Sequence, residues 1–362
     1  MLAAQGYAEH GSHAMMRLML STLRHNGIPL WGYKALLLLA AAIWGLGTVA
    51  IKSTVDTLPP TWIVGLRFTG AGLILGAVSF PKVRGHVALA PRRHLACGAI
   101  LGILLFLSYW ANSTGLADTT ASNSSFLTTL YVVIIPFLGW WIIRKRPTSY
   151  NIVAALTCAA GLGFVAYGGA DGFSLRFGDL VTLLSAFFLS LHVLYTAKFA
   201  PGLSVTALTA IQFLVAGALG IMMALASEPL PNLAALPPEA WGNLAYLTVM
   251  ASCVALWLQN AAVARVDPAQ ASLFLAMEAV FGVLFSVLLL GEAPSATAYT
   301  GFALIFCGMV ISEYLPLRAQ RKQAAAPCGK TDRAGAPSPR VPEAAAAEEE
   351  ALAMEGFDTF MR

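Results

Sequence analysis

Long apolar stretches alternate with short polar joints along most of the chain. A helix needs about 20 predominantly apolar residues to cross a bilayer, and the joints carry proline, glycine or charge, as at Pro59-Pro60, Pro147 and Gly168-Gly169. The pattern predicts an all-α polytopic membrane protein with ten transmembrane helices. The predicted spans are about residues 34–53, 61–80, 95–116, 119–142, 149–169, 179–198, 204–226, 240–264, 268–290 and 295–316.

Composition agrees with this class. Residues are 58% hydrophobic and 11% charged, whereas soluble domains are about 25% charged. The five cysteines are scattered and form no CxxC pair, so neither a disulfide framework nor a zinc site is expected. Residues 1–33 lack a signal-peptide pattern and are predicted to be a cytoplasmic segment. Residues 317–362 are rich in Pro, Ala and Glu and are predicted to be a disordered cytoplasmic tail.

An internal repeat underlies the spans. Residues 119–147 align with residues 266–294 at a constant shift of 147 positions, which places Tyr131 under Glu278. Such a shift indicates a duplicated unit, and the predicted repeats of five helices are residues 34–169 and 178–316. The same shift also pairs Trp110 with Trp257, Gly161 with Gly308, Tyr167 with Tyr314, and Pro147 with Pro294.

The positive charges predict an orientation. If the N-terminus is inside, the inside segments as far as Lys322 hold fifteen Lys and Arg residues, and the outside segments hold two, Lys52 and Arg176. This asymmetry is typical of cytoplasmic loops, so both termini are predicted to be cytoplasmic. Five spans are an odd number, and the second repeat is therefore inverted relative to the first. Inverted repeats with a site between them are a common transporter architecture.

Several segments carry a family resemblance when taken in order. They are Ala42–Lys52 (AIWGLGTVAIK), Leu66–Phe68 (LRF), Ala121–Trp141, Gly178-Asp179, Lys198 and Leu275–Glu292 (LAMEAVFGVLFSVLLLGE). With the double five-span layout, they resemble the drug/metabolite transporter superfamily, EamA type. The resemblance implies ten spans, cytoplasmic termini and a central cavity lined by both halves. It also implies export of amino acids, metabolites or toxic compounds, or in some members import. The family often has proline after the acid of span nine, where this chain has Ala279.

Glu278 is the main candidate for chemistry. It lies about 15 Å into span nine at 1.5 Å per residue, where a charged side chain is costly and is a functional candidate by default. One interpretation gives it recognition of a substrate amine or coupling to protons. The other is a neutral, hydrogen-bonded Glu that packs the two halves together.

Other polar side chains lie on helix faces that are expected to line the cavity. Span four carries Thr120, Ser124, Thr128 and Tyr131 at helical spacing, with Asn123 beside them. Hydroxyls in spans also bond to backbone or join helices, and a lone His192 in span six is more often a satisfied interior group than a relay. Arg67 in span two is expected to be structural, paired with a carbonyl or an acid such as Asp56 or Asp118. The predicted substrate-binding residues are Trp44, Thr48, Asn112, Asn123, Ser124, Thr128, Tyr131, His192, Trp257, Gln259 and Glu278.

The sequence favours a secondary transporter over the other classes of membrane protein. No HExxH, GxSxG or phosphate-binding Gly-rich loop occurs, which argues against an enzyme or a primary pump. An exporter of small polar metabolites such as amino acids is expected, in a bacterial inner membrane; multidrug efflux and solute uptake are the alternatives, and a membrane-embedded enzyme is a weaker one. Expected partners are a small solute and the bilayer, with protons as the favoured coupling ion. No cofactor, metal or nucleic acid is expected, and the choice between monomer and homodimer stays open.

Overall fold

The computed structural model describes residues 29–55, 57–116, 127–144, 146–167, 177–290 and 296–325. Within those ranges all regular secondary structure is helical, so the predicted all-α class is confirmed. The helices are α1 (Leu30–Val55), α2 (Pro60–Leu89), α3 (Pro91–Leu116), α4 (Tyr131–Ile142), α5 (Ser149–Tyr167), α6 (Phe177–Phe199), α7 (Val205–Ser227), α8 (Pro238–Tyr246), α9 (Trp257–Val263), α10 (Pro268–Leu275), α11 (Met277–Leu290) and α12 (Ala296–Ala325).

Ten of the predicted spans are recognisable in the described ranges. Six segments are long and apolar enough to cross a membrane by length and composition: Leu30–Gly47, Pro60–Leu89, Pro91–Gly115, Phe177–Phe199, Val205–Ser227 and Pro238–Val263. Three shorter apolar helices are Leu127–Ile142, Ser149–Phe164 and Tyr299–Ser312. The remaining one, span nine, consists of α10 and α11. Large exposed side chains such as Leu73, Phe80 and Trp141 suit a lipid-facing surface.

Some predicted helix ends are wrong. Helix α2 runs through Pro81 to Leu89, whereas the predicted span ends at residue 80. A proline inside a helix removes one backbone hydrogen bond, and its ring crowds the preceding turn. The helix nevertheless continues beyond its apolar part through exposed residues such as Lys82 and Arg84. Helix α1 likewise starts earlier than predicted, at Leu30, and α12 extends to Ala325.

Spans eight and nine, predicted at residues 240–264 and 268–290, are not regular α-helices throughout. Span eight consists of α8, a π-helical segment at Leu247–Leu256, and α9. Span nine is divided at Ala276, where α10 ends before α11 begins. Neither interruption contains a proline, so apolar composition gave no signal for them. Wide π turns in helices frequently occur at functional sites.

Equivalent helices of the two repeats pack against each other through equivalent surfaces. A Cβ placed on Gly161 would lie 2.7 Å from the Gly301 carbonyl oxygen, and one on Gly308 would lie 2.8 Å from the Ala154 carbonyl oxygen. Gly301 and Ala154 are themselves equivalent under the shift of 147, so α5 and α12 use the same surface against each other. Helices α2 and α7 cross in the same manner, and α3 packs on α6 as span eight packs on α1.

Side chains at helix ends also join the two repeats. The Glu228 carboxylate, directly after α7, accepts hydrogen bonds from the backbone N–H groups of Thr61 (3.0 Å) and Trp62 (3.2 Å). The Trp62 indole donates to the Pro229 carbonyl at 3.1 Å. These bonds satisfy donors that the first turn of α2 leaves unpaired.

By internal contacts the chain separates into residues 1–319, which hold all the spans, and residues 320–362. In the second unit the structure describes only the last turns of α12, through Ala325. The N-terminal segment 1–33 and the predicted tail 317–362 fall largely outside the described residues.

Candidate functional site

Two interrupted helices meet at the centre of the predicted site. Glu278 lies in the first turn of α11, directly after the interruption at Ala276. Its repeat equivalent, Tyr131, is the first residue of α4, and a turn at Leu130 separates α4 from the short helical stretch before it. The repeat therefore conserves the interruption in both halves while exchanging a phenol for a carboxylate.

Glu278 and Tyr131 differ in their exposure. Tyr131 is buried, with 3% of its surface exposed, whereas Glu278 is half-buried. No described residue donates a hydrogen bond to the Glu278 carboxylate within the ranges given above. The first turn of a helix is a favourable place for a negative charge because unpaired N–H groups and the helix dipole point there. The carboxylate is thus placed where a charge is tolerated but has no fixed partner among the described residues.

Helix α1 connects Glu278 to span eight. A Cβ on Gly45 would lie 2.7 Å from the Gly282 nitrogen, so α11 approaches the α1 backbone about one turn beyond Glu278. The adjacent residue, Trp44, donates its indole N–H to the Ala251 carbonyl at 2.8 Å. Ala251 belongs to the π-helical segment. Trp44 is half-buried, and its polar edge is fixed by this bond between the repeats.

Arg67 occupies the same layer. Its Nε donates to the Ser252 Oγ at 2.9 Å, next to the Ala251 carbonyl that holds Trp44. The guanidinium carbon lies 5.0 Å from the ring centroids of both Phe68 and Tyr109. The Tyr109 ring therefore lies against the Arg67 cation.

The expected acidic partner of Arg67 is not found in the described part of the chain. Asp56 and Asp118, the acids named from the sequence, fall outside the described residues. Sequence reasoning treated Arg67 as structural and did not single out Tyr109. The available signal was the same as for Glu278, namely a charged side chain well inside a predicted span.

Asn112 and Thr128 are brought together as the prediction of a shared site requires. The Asn112 amide Nδ2 donates to the Thr128 Oγ1 at 2.8 Å, which links α3 to the segment before α4. Both side chains are half-buried. The structure gives no description of Asn123 and Ser124, which fall outside the described residues, or of the Thr48 side chain on α1.

The remaining predicted residues lie in a second polar cluster, between α6, α7 and α9. His192 Nε2 is 2.9 Å from Gln212 Oε1, and the Trp257 indole donates to Thr206 Oγ1 at 3.0 Å. Gln259 is 1% exposed and its amide nitrogen has no hydrogen-bond partner in the described ranges. His192 and Trp257 thus contact α7, and the structure does not bring them onto Glu278. No cluster of three metal-ligating side chains occurs among the described residues.

A chain that crosses the membrane many times, with inverted halves and a polar layer between them, has the architecture of a transporter. The model of the EamA-like transporter family matches residues 31–167 and again residues 176–314. The chain therefore belongs to the EamA-like transporter family. This multi-pass membrane protein is a transporter and not an enzyme, and the resemblance stated from the sequence is confirmed.

Individual relatives agree with the family. An uncharacterized transporter of Archaeoglobus fulgidus is 27% identical over 275 residues, which cover 76% of this chain and 83% of the relative. The uncharacterized inner membrane transporter YedA of Escherichia coli (strain K12) is 26% identical over 276 residues, 74% of this chain and 86% of the relative. One solved crystal structure matches with a TM-score of 0.68 at 19% identity, over 80% of this chain and 98% of the other. That likeness concerns the fold alone.

Proposed function

We propose that this transporter is secondary-active and exports small polar metabolites, amino acids among them. The two repeats, residues 34–169 and 178–316, would rock against each other around a midplane site. The observation that carries the proposal is the pair of matching interrupted helices with Tyr131 and Glu278 in their first turns. Interrupted helices at the interface of inverted repeats are the usual location of transporter binding sites.

The substrate site is proposed to lie in the layer that holds Glu278. Trp44, Asn112, Thr128 and Tyr131 are the predicted residues assigned to it, and Thr48, Asn123 and Ser124 remain predictions. Amide and hydroxyl groups supply both donors and acceptors, which suits a polar solute. His192, Trp257 and Gln259 belong to the site only if the cluster beside α7 opens to it during transport.

Proton coupling through Glu278 is part of the proposal. A half-buried carboxylate without a fixed partner in the described ranges is able to bind either a proton or a cationic group of the solute. Competition between the two would couple export to the proton gradient. We also propose that the protein resides in a bacterial inner membrane with both termini in the cytoplasm, as the distribution of Lys and Arg indicates.

Flux measurements in proteoliposomes test the proposal. Purified protein would be reconstituted and offered a panel of amino acids, with organic cations as a second panel, each with and without an imposed pH gradient. Amino acid flux that increases with the gradient supports the proposal, and flux of the cations alone supports multidrug efflux. Flux that is indifferent to pH would remove proton coupling and leave facilitated transport.

A further inference from the structure

One end of α4 carries a group of exposed aromatic and basic side chains that the proposed function does not use. Trp140 and Trp141, in the last turn of α4, expose 52% and 82% of their surface. Arg144 and Arg146 follow the helix and are exposed as well. These four residues, which we call the Trp–Arg patch, lie where the apolar helix of span four meets the polar loop that follows it.

An aromatic and a basic member of the patch contact each other. The Arg146 guanidinium carbon lies 5.8 Å from the centroid of the Trp140 ring, within the range of about 6 Å over which a cation–π interaction acts. Tryptophan prefers the headgroup level of a bilayer, because its ring is apolar and its indole N–H is polar. A guanidinium packed on Trp140 is therefore held at the depth of the lipid phosphates.

Arg144 has a backbone conformation that ordinarily favours glycine. Its φ of 58° is the only positive φ of a non-glycine residue in the described part of the chain, and the left-handed region crowds any residue that has a Cβ. The shift of 147 places Gly291 at the equivalent position of the second repeat. Glycine would end the helix with less strain, so the arginine is explained by what its side chain does and not by the turn.

The positive charges of the patch have no acidic partner nearby. No Asp or Glu occurs in residues 119–170, and neither Arg144 nor Arg146 forms an ion pair with a described residue. At the positions equivalent to Trp140, Trp141 and Arg146, the second repeat has Val287, Leu288 and Ala293. The combination of aromatic and basic residues therefore belongs to the first repeat alone, and its charge is open to an anion outside the chain.

We propose that the Trp–Arg patch binds the headgroup of an anionic phospholipid of the phosphatidylglycerol class. Guanidinium groups form charge-assisted, often bidentate hydrogen bonds with phosphate oxygens, and the two indole rings suit the glycerol level of the lipid. A zwitterionic headgroup would bring an ammonium group close to both arginines and is disfavoured. The bilayer covers the patch because span four ends there, and by the predicted orientation the lipid is in the cytoplasmic leaflet.

Lipid pairs that differ only in the headgroup test the assignment. Native mass spectrometry of the purified protein in detergent would compare phosphatidylglycerol with phosphatidylethanolamine of the same acyl chains. The wild type should bind phosphatidylglycerol at least about fivefold more tightly, the factor that one basic residue contributes at an anionic membrane surface. In the double variant Arg144→Gln, Arg146→Gln the preference should fall at least about fivefold, with phosphatidylethanolamine affinity unchanged.

Two further variants separate a site from general surface charge. Arg84→Gln is the matched control, because Arg84 is exposed on the same predicted side of the membrane but contacts no aromatic ring among the described residues. It should leave the preference for phosphatidylglycerol unchanged. Trp140→Leu keeps both patch charges and removes the ring under Arg146, so phosphatidylglycerol affinity should fall about two- to fivefold. This variant also serves if the double arginine variant fails to fold.

Three results would overturn the inference. The first is equal binding of the two lipids by the wild type. The second is a loss of preference in Arg84→Gln as large as that in the double variant, which would show that only net charge matters. The third is displacement of phosphatidylglycerol by millimolar inorganic phosphate, which would assign the patch to a soluble anion. None of these measurements involves solute flux, so the proposed function is tested separately.

Discussion

Tyr131 and Glu278 occupy equivalent positions in the two halves of the transporter, 147 residues apart, in the first turns of α4 and α11. The backbone interruption that precedes each of them is shared, and the chemistry of the side chain is not. One half therefore presents a phenol and the other a carboxylate to the same layer. This difference between the two halves lies at the proposed binding site for the substrate and the proton.

Replacing Glu278 by Gln should abolish proton-driven transport. The substitution preserves size and removes the titratable carboxylate. Flux driven by an imposed pH gradient should therefore fall about 100-fold or more, since a positioned proton-transfer group typically contributes about 10²–10⁴-fold. Proteoliposome flux measures the loss, and size-exclusion chromatography checks that the protein is intact. Glu278→Asp retains a carboxylate and should keep part of the flux, while the exposed Glu239→Gln should leave it unchanged. Full gradient-driven flux in Glu278→Gln would contradict the coupling role.

Replacing Glu228 by Ala should loosen the junction between α7 and α2. Two backbone N–H groups lose their acceptor, and loss of such a cap costs about 1 kcal/mol of unfolding free energy. The melting temperature in detergent should decrease. Glu228→Asp separates loss of the hydrogen bonds from loss of the charge. The shorter side chain keeps the negative charge near the helix end but no longer reaches the two N–H groups. The Glu239→Gln variant affects only a charge in the first turn of α8 and should produce a smaller decrease. Equal melting temperatures for Glu228→Ala and the wild type would show that the cap is dispensable.

Alanine at Gly161 or Gly308 should destabilise the contact between α5 and α12. In each case the new methyl group would lie within 2.8 Å of a backbone oxygen, and overpacking of this kind costs about 1–3 kcal/mol. Gly76 on α2 is the matched control because a Cβ there meets nothing within 4 Å. Alanine at Gly76 should be neutral or slightly stabilising, since glycine is a poor helix former. A loss of stability at Gly76 as large as that at Gly161 would refute the steric explanation.

The pairing of His192 with Gln212 distinguishes a structural from a transport role. Gln212→Leu leaves the buried imidazole without its partner at 2.9 Å, a change that costs about 1–3 kcal/mol. The double variant His192→Leu, Gln212→Leu removes both partners and should be more stable than Gln212→Leu alone. A double variant that folds and transports normally would assign His192 to packing. One that folds but has a raised KM would place it in the substrate site.

The sequence predicted the part of the architecture that depends on composition and repetition. The ten spans follow from apolar length, and the alignment of Tyr131 with Glu278 follows from the constant shift. The interruptions at Ala276 and in Leu247–Leu256 did not follow, because a change of helical hydrogen-bond register leaves no mark in apolar composition. The partners of Arg67 and Trp44 were also missed. Arg67 and Ser252 are 185 positions apart, and only the packed bundle brings them together.

The glycine contacts between α5 and α12 restrict how far the two halves can diverge. Gly161 packs closely against α12 at Gly301, and Gly308 packs closely against α5 at Ala154. Each glycine therefore contacts the surface that is equivalent to its own. A larger side chain in one half is therefore tolerated only if a facing side chain in the other half becomes smaller. Two substitutions would have to occur together. Substitutions cost the least stability at positions that face the polar layer and do not contact the other half. The two halves must therefore stay similar where they pack against each other. They are free to differ at Tyr131 and Glu278.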